Sequence, residues 1–163
     1  MPNLILQSVK EKAIAEVAEL IEVKTLECFS RGWAFRPTSE APETFKDLKS
    51  KTVGRVIPVA DYGCDKTIYK DAGINIKFRF WHDVTHLELD QGFSVAGETS
   101  VIESHKKEAL DFGLSPLAMQ ILEADTIGQV LYYDKFKCFV NDQEAWLDSC
   151  LQHGIKRALG FKH

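Results

Sequence analysis

Along residues 4–29, apolar side chains recur at Leu6, Val9, Ala13, Val17, Leu20, Ile21 and Val23, with Lys and Glu between them. That spacing follows the 3.6-residue period and predicts one long amphipathic helix. Gly32 and the run "RPTSEAPE", with two prolines, predict a loop after it. A short helix is expected around Thr44 to Ser50. The segment "GRVIPVADYGCDKTIY" is β-branched but interrupted by Pro58 and Gly63. A small hairpin or extended pieces near residues 53–69 fit it better than a central strand.

From Asn75 onward the helical period returns. Asn75 is the expected N-cap of a helix over 75–90, which Gly92 stops. Ser94 is the expected cap of a second helix over 95–112, closed by Gly113. Ser115-Pro116 opens a third over 116–133, with proline at the first helical position. Asn141, followed by Asp142 and Glu144, opens a last helix over 141–159. The expected fold is mainly α: about five helices with a small extended or β segment, forming one helical domain over 1–163.

Composition narrows the class. The 163 residues are 45% hydrophobic and 27% charged, with a net charge of −4. This suits a chain that builds its own core without disulfide or structural-metal staples. No block of Lys and Arg stands out, so broad nucleic-acid binding is not expected. A small-molecule or nucleotide substrate remains compatible with that balance. Cys28, Cys64, Cys138 and Cys150 form no C-x-x-C pair, so reduced thiols and a cytoplasmic setting are expected. The first residues carry charges throughout their apolar pattern, unlike a signal peptide. No stretch approaches the about 18 apolar residues of a spanning helix, so no membrane partner is expected.

The candidate chemistry lies in "NIKFRFWHDVTHLELD", Asn75 to Asp90. Residues four apart share a helical face, so Phe78, His82 and His86 form one stripe. Arg79 and Asp83 pair beside it. In the next helix Glu98 and His105 stand seven apart and share a stripe that Phe112 continues. The adjacent stripe, Val95, Ile102 and Ala109, reads as core. In the third helix Asp125 and Gln129 are one turn apart, flanked by Leu122 and Tyr132.

Three consecutive helices therefore bring polar groups to an apolar margin, where an unpaired charge is costly. Imidazole with carboxylate suits Zn, Mn, Fe or Ni better than Ca or Mg. The expected cofactor is a divalent transition metal (Zn, Mn or Fe). Its expected ligands are His82, His86, Glu98 and His105, within a core of 75–133. Asp83 and Asp125 would orient ligands or move a proton. Arg79 and Gln129 are assigned to substrate, although Arg79 with Asp83 also reads as a structural ion pair. Each of these has a plain structural alternative, since one His on an apolar face is commonly a hydrogen-bonded core residue. Phe78, Phe80 and Trp81 read as core, Asp61 and Asp65 as loop solvation. His153 and His163 are read as lacking partners.

The pieces "FRFWHDVTH", "FSVAGE", His105 and "EADTIGQ" resemble, in order, a group of helical domains of phage and mobile elements. Their pattern runs F-R-x-x-H-D-x-x-x-H or a near spacing variant, then G-E, a downstream His, and an E-T-x-G-Q-like turn. The resemblance covers about Asn75 to Tyr133. This sequence has one residue fewer between the Asp and the second His than some members. The resemblance implies a metal-binding helical domain of viral or plasmid origin and carries no substrate.

His82-Asp83 with Asp125 is also similar to HD-type phosphohydrolases, but that family needs an earlier His, and none precedes His82. "HDVTH" has the histidine spacing of zincin peptidases, with Asp83 where they place Glu. The leading expectation is a metal-dependent hydrolase in which a bound ion activates water; iron-based oxidative chemistry uses the same ligand set. The alternatives are an HD-like nucleotide phosphohydrolase and a non-catalytic viral accessory protein, a host-factor inhibitor or virion component, with a structural His/Glu cluster. Thiol titration in denaturant without reductant should find four reactive cysteines; finding none would overturn the reduced-thiol expectation.

Overall fold

Ala13, Val17, Leu20, Ile21 and Cys28 carry the buried stripe of helix α1 (Pro2–Ser30). Leu6 and Val9, which the period places near that stripe, are exposed. The structure, a computed structural model, describes the backbone of residues 2–163 and the side chains of residues 6–163. Its contacts divide the chain into two compact units: Ile21–Ser104, and Met1–Leu20 with His105–His163. The mainly α expectation holds, with one small sheet among the described residues. Cys28, Cys64, Cys138 and Cys150 form no disulfide among the described residues. No helix among the described residues is long and apolar enough to cross a membrane.

In the unit Ile21–Ser104, strands β1 (Ala34–Thr38) and β2 (Val56–Ala60) pair in parallel, Ala34 opposite Val56 and Thr38 opposite Ala60. Helix α2 (Phe45–Lys51), capped by Thr44, lies between them in sequence, as a parallel crossover requires. The expected hairpin is therefore a parallel pair, and part of the expected proline loop is β1. In a two-stranded sheet both strands are edges. Pro37 and Pro58 can each sit with the nitrogen on the side that needs no donor.

Helix α3 (Ala72–Leu89) packs on β2, and Phe80 meets Phe29 and Phe35 at 5.5 and 4.9 Å between ring centroids. Its N-cap is Asp71, whose carboxylate accepts from the N–H groups of Gly73 and Ile74. Asn75, expected to cap it, is instead a buried residue inside the helix. Phe80 and Trp81 are core as expected, whereas Phe78 is only partly buried.

The corner between α3 and α4 (Val95–Phe112) turns on Asp90, which adopts φ 51°, ψ 43°. Asp tolerates this left-handed conformation better than most residues. Gly92, expected to supply the reversal, has another role: a Cβ on Gly97 would stand 1.9 Å from the Gly92 carbonyl oxygen. Ser94 caps α4 as expected, its hydroxyl accepting from the Gly97 N–H at 3.2 Å. Of the expected core stripe of α4, Ile102 and Ala109 are buried and Val95 is exposed.

The second unit is built around Trp146. Ser115 caps α5 (Pro116–Asp125) as expected. The single helix expected over 116–133 is broken at Thr126, and α6 (Ile127–Phe136) follows. The Trp146 indole N–H donates to the Ala124 carbonyl at 3.0 Å, and its ring occupies the space that a Cβ on Gly128 would need. This insertion explains the break. The last expected helix is likewise two: α7 (Gln143–His153), capped by Asp142 rather than Asn141, and α8 (Ile155–Ala158) after Gly154. The His163 ring lies 5.6 Å from that of Trp146, and its buried Nε2 has no hydrogen-bond partner among the described residues, while its main chain is tied in. Its N–H donates to the Tyr132 hydroxyl at 2.8 Å, and that hydroxyl donates to the His163 carbonyl at 2.7 Å.

Gly97→Ala should force the α3–α4 corner apart and lower stability by about 3 kcal/mol, read as a reduced urea midpoint. An unchanged midpoint would contradict the close contact.

Candidate metal centre

Phe78, His82 and His86 occupy successive turns of α3, so the two imidazoles lean along one face. The chain that turns at Asp90 locks the second of them. The Gln91 N–H donates to the His86 carbonyl at 3.0 Å, and the His86 Nδ1–H donates to the Gln91 carbonyl at 2.8 Å. With Nδ1 committed to a carbonyl, a neutral His86 presents Nε2 as a bare lone pair.

Glu98 enters from the first turn of α4, its N–H bonded to the Ser94 carbonyl at 2.8 Å. The close approach of Gly97 to Gly92 holds that turn against the corner. The Glu98 Oε2 then lies 3.0 Å from His82 Nε2 and 3.4 Å from His86 Nε2, and the two Nε2 atoms are 3.0 Å apart. Three ligand atoms converge, and His82, His86 and Glu98 form the candidate metal group among the described residues.

The triangle fits an ion. Edges of 3.0, 3.0 and 3.4 Å put each corner about 1.8 Å from the centre. Bonds of about 2.0–2.1 Å from these three atoms would reach a common point, so His82, His86 and Glu98 could hold a zinc-sized ion. Protons satisfy the same three atoms poorly. Each imidazole has one proton to offer when neutral, and that of His86 is already given to Gln91. Only His82 can then donate into the group, so one lone pair is left facing another.

Charge at the site follows. Burial acts against ionised Glu98, but hydrogen bonds from His82 and His86, with their charges, outweigh it and hold the carboxyl down at about 2. Burial likewise acts against charged His86. The hydrogen bonds to Glu98 and to the Gln91 carbonyl, with the charges of Glu98 and Asp83, outweigh it and raise His86 above its ordinary value. Asp83 is densely surrounded while keeping some exposed area. Burial pushes its carboxyl up to about 6; His82, His86 and Arg79 oppose the rise, and Glu98 adds to it.

The other expected site residues are placed as follows. Asp83 is outside the converging group, though near enough to feel each member's charge, and its carboxylate accepts no hydrogen bond among the described residues. Arg79 donates to the carbonyls of Ala60 and Tyr62 at 3.0 and 2.9 Å. His105, two turns along α4 from Glu98, is fully buried and is not one of the converging ligands. Asp125 and Gln129 bond to each other at 2.8 Å in the unit built around Trp146.

Four contributors carry no signal of their own type. Gln91 acts through its main chain. Gly97 acts through the absence of a side chain, and the Gly-Glu pair is its only trace. Phe93 lies edge-on to His86 at 4.9 Å, and Phe45, from α2, lies 6.4 Å from it. No family model, characterised protein or solved structure matches the chain.

The metal-free protein should have a defined pH dependence. Raised His86 contributes stability that is complete below its ordinary value near 6.5 and is lost as pH climbs through the folded value. Lowered Glu98 contributes above 4.5 and loses it as pH falls towards about 2. Raised Asp83 contributes below 3.8 and loses it as pH rises through about 6. With chelator present, melting temperature should therefore fall between pH 6 and pH 8. Asp83→Asn should recover about 2 kcal/mol at the upper end. A flat profile across that window would contradict this assignment.

Proposed function

We propose that the protein is a metal-dependent hydrolase in which His82, His86 and Glu98 hold a divalent transition metal, zinc foremost. The convergence of two Nε2 atoms and one carboxylate oxygen within 3.0–3.4 Å carries the reading. Two imidazoles and a carboxylate leaving open positions are a donor set of catalytic zinc. A bound ion supplies Lewis acidity, which brings the pKa of water towards 7 and polarises a carbonyl or phosphoryl oxygen.

The chain's own groups do the rest. The Gln91 carbonyl fixes the His86 tautomer and ring orientation, as partners behind a ligand commonly do. Asp83, its carboxyl pushed up to about 6, is suited to take a proton from water and return it to a leaving group. The same donors also hold iron in oxidative enzymes. A carboxylate free of hydrogen bonds beside the site favours hydrolysis. The resemblance of residues 75–133 to phage and mobile-element domains supports such an origin.

The cluster is also partly hydrogen-bonded without an ion, His82 to Glu98 at 3.0 Å. This supports the alternative, an accessory protein in which the three residues only brace a corner.

Protein purified without an affinity tag should bind one zinc ion per chain. His82→Ala, His86→Ala and Glu98→Ala should each weaken binding by at least about 100-fold, and removing one partner of the buried group should cost about 3–5 kcal/mol. Asp83→Asn should keep the metal and lower turnover of a chromogenic ester by about 10²–10⁴-fold. If melting ignores chelator and no metal binds, the bracing role replaces this reading.

A further inference from the structure

The unit built around Trp146 holds aromatic rings out to solvent on two adjoining segments. Helix α6 ends where Lys137 turns left-handed at φ 55°. The chain that follows brings Phe139 back onto Tyr133, with ring centroids 4.9 Å apart. Phe139 is 79% exposed and Tyr133 46%. A further ring, Phe161 at 67%, stands in the segment after α8. The two segments lie side by side, since the Asn141 N–H donates to the His163 carbonyl at 3.2 Å. Apolar side chains exposed singly are ordinary. Two joined segments that each present a phenylalanine are not.

The segment that carries Phe161 is fixed on both sides of the ring. Before it, the Leu159 carbonyl accepts from Lys135 Nζ at 2.6 Å. After it, the His163 main chain is bonded in both directions to the Tyr132 hydroxyl. Short segments without such ties commonly fray. Here the ring stays in water because the fold holds it there.

The same segment is basic. Residues 154–163 carry Lys156, Arg157 and Lys162 and no Asp or Glu, in a chain whose net charge is −4. All three cations are exposed, and none has an acidic partner among the described residues. Shape and charge together decide what can meet this surface. A side chain 79% exposed projects, so these rings form no wall of the charged channel that tracks a nucleic-acid strand. A second copy of the chain would bring like charges together across a symmetric interface. A bilayer is soft, accepts projecting rings at its headgroup boundary, and is negatively charged when it contains anionic lipid.

We propose that residues 133–139 and 154–163 dock on a bilayer that contains anionic phospholipid. Phe139 and Phe161 enter the boundary between headgroups and acyl chains, and Lys156, Arg157 and Lys162 meet the lipid phosphates. The chain lies on such a membrane and does not span it, since no helix among the described residues is long and apolar enough to cross. Each cation near a charged bilayer surface strengthens partitioning by about fivefold, so the three together supply roughly 100-fold. None of these residues belongs to the His82–His86–Glu98 group, so the docking is independent of the metal-hydrolase reading.

Sedimentation with vesicles tests this, with chelator present so that no ion bridges protein to phosphate. Phosphatidylcholine vesicles with about 30% phosphatidylglycerol should bind the full chain at least about 20-fold more tightly than phosphatidylcholine alone. Raising salt to about 0.5 M should remove most of that difference. Lys156→Gln, Arg157→Gln and Lys162→Gln should each weaken binding by about fivefold, and Phe139→Ala together with Phe161→Ala by about tenfold. Leu26→Ala, at a 63% exposed position in the other unit, should change nothing. Phe139→Trp should gain tryptophan quenching by lipids brominated in their acyl chains. Absence of that quenching would overturn the docking even if the alanine variants fail to fold. Equal binding to charged and neutral vesicles would overturn it as well. So would tighter capture of a thymidine oligonucleotide, weakened by the same substitutions, which would make this a nucleic-acid face.

Discussion

A Cβ at position 97 would stand 1.9 Å from the carbonyl oxygen of Gly92. No side chain fits in that gap, so the first turn of α4 can lie directly on the chain that leaves α3. The following residue, Glu98, is thereby carried to within 3.0 Å of His82 Nε2. A helix kept farther off by even a methyl group would leave the carboxylate short of the imidazoles. The left-handed turn at Asp90 and the hydroxyl cap from Ser94 set the direction of approach. The depth of approach depends on the absence of a side chain at Gly97. A stripe of histidines on one helix becomes a three-sided site because two backbones touch.

Once the three groups meet, electrostatics limits what can hold them. Their ligand atoms are lone-pair carriers, and the His86 ring has its Nδ1 proton bound to Gln91. Added protons can satisfy the group in acid, by charging His86 against Glu98. A cation satisfies it at higher pH, where that proton leaves. A proton and a metal ion would compete for one place, and the carboxylate held down at about 2 would favour either cation. Asp83 stands outside the group yet feels the charge of each member.

The two compact units divide the polar groups that the sequence brings under suspicion. His82, His86, Glu98, Asp83 and Arg79 belong to Ile21–Ser104. Asp125 and Gln129 belong to the other unit, where they bond to each other. That unit is organised by a different event, the entry of the Trp146 indole beside Gly128, which takes up the Ala124 carbonyl and splits one helical run into α5 and α6. A buried aromatic thus does in one place what Gly97 does in the other: each decides where a helix can go.

Much of this was legible locally. Helix period, the Ser94 and Ser115 caps, and the shared face of His82 and His86 depend on residues a few positions apart, and local sequence determines them. Glu98 was legible as a candidate because it sits at the start of an amphipathic helix, on the edge of its apolar face. The parallel pairing of β1 with β2 was not, since it joins segments about twenty residues apart and allows proline on both edges. Neither was the break at Thr126, whose cause lies twenty residues downstream in Trp146. The same holds for the rings of Phe45 and Phe93 beside His86, and for the convergence of Glu98 rather than His105 on the two imidazoles. Sequence by itself determined which faces carry imidazole and carboxylate, because helical periodicity is a property of the local chain. Only the tertiary structure decided which of them share a point in space, because that depends on how closely non-neighbouring backbones and side chains can pack.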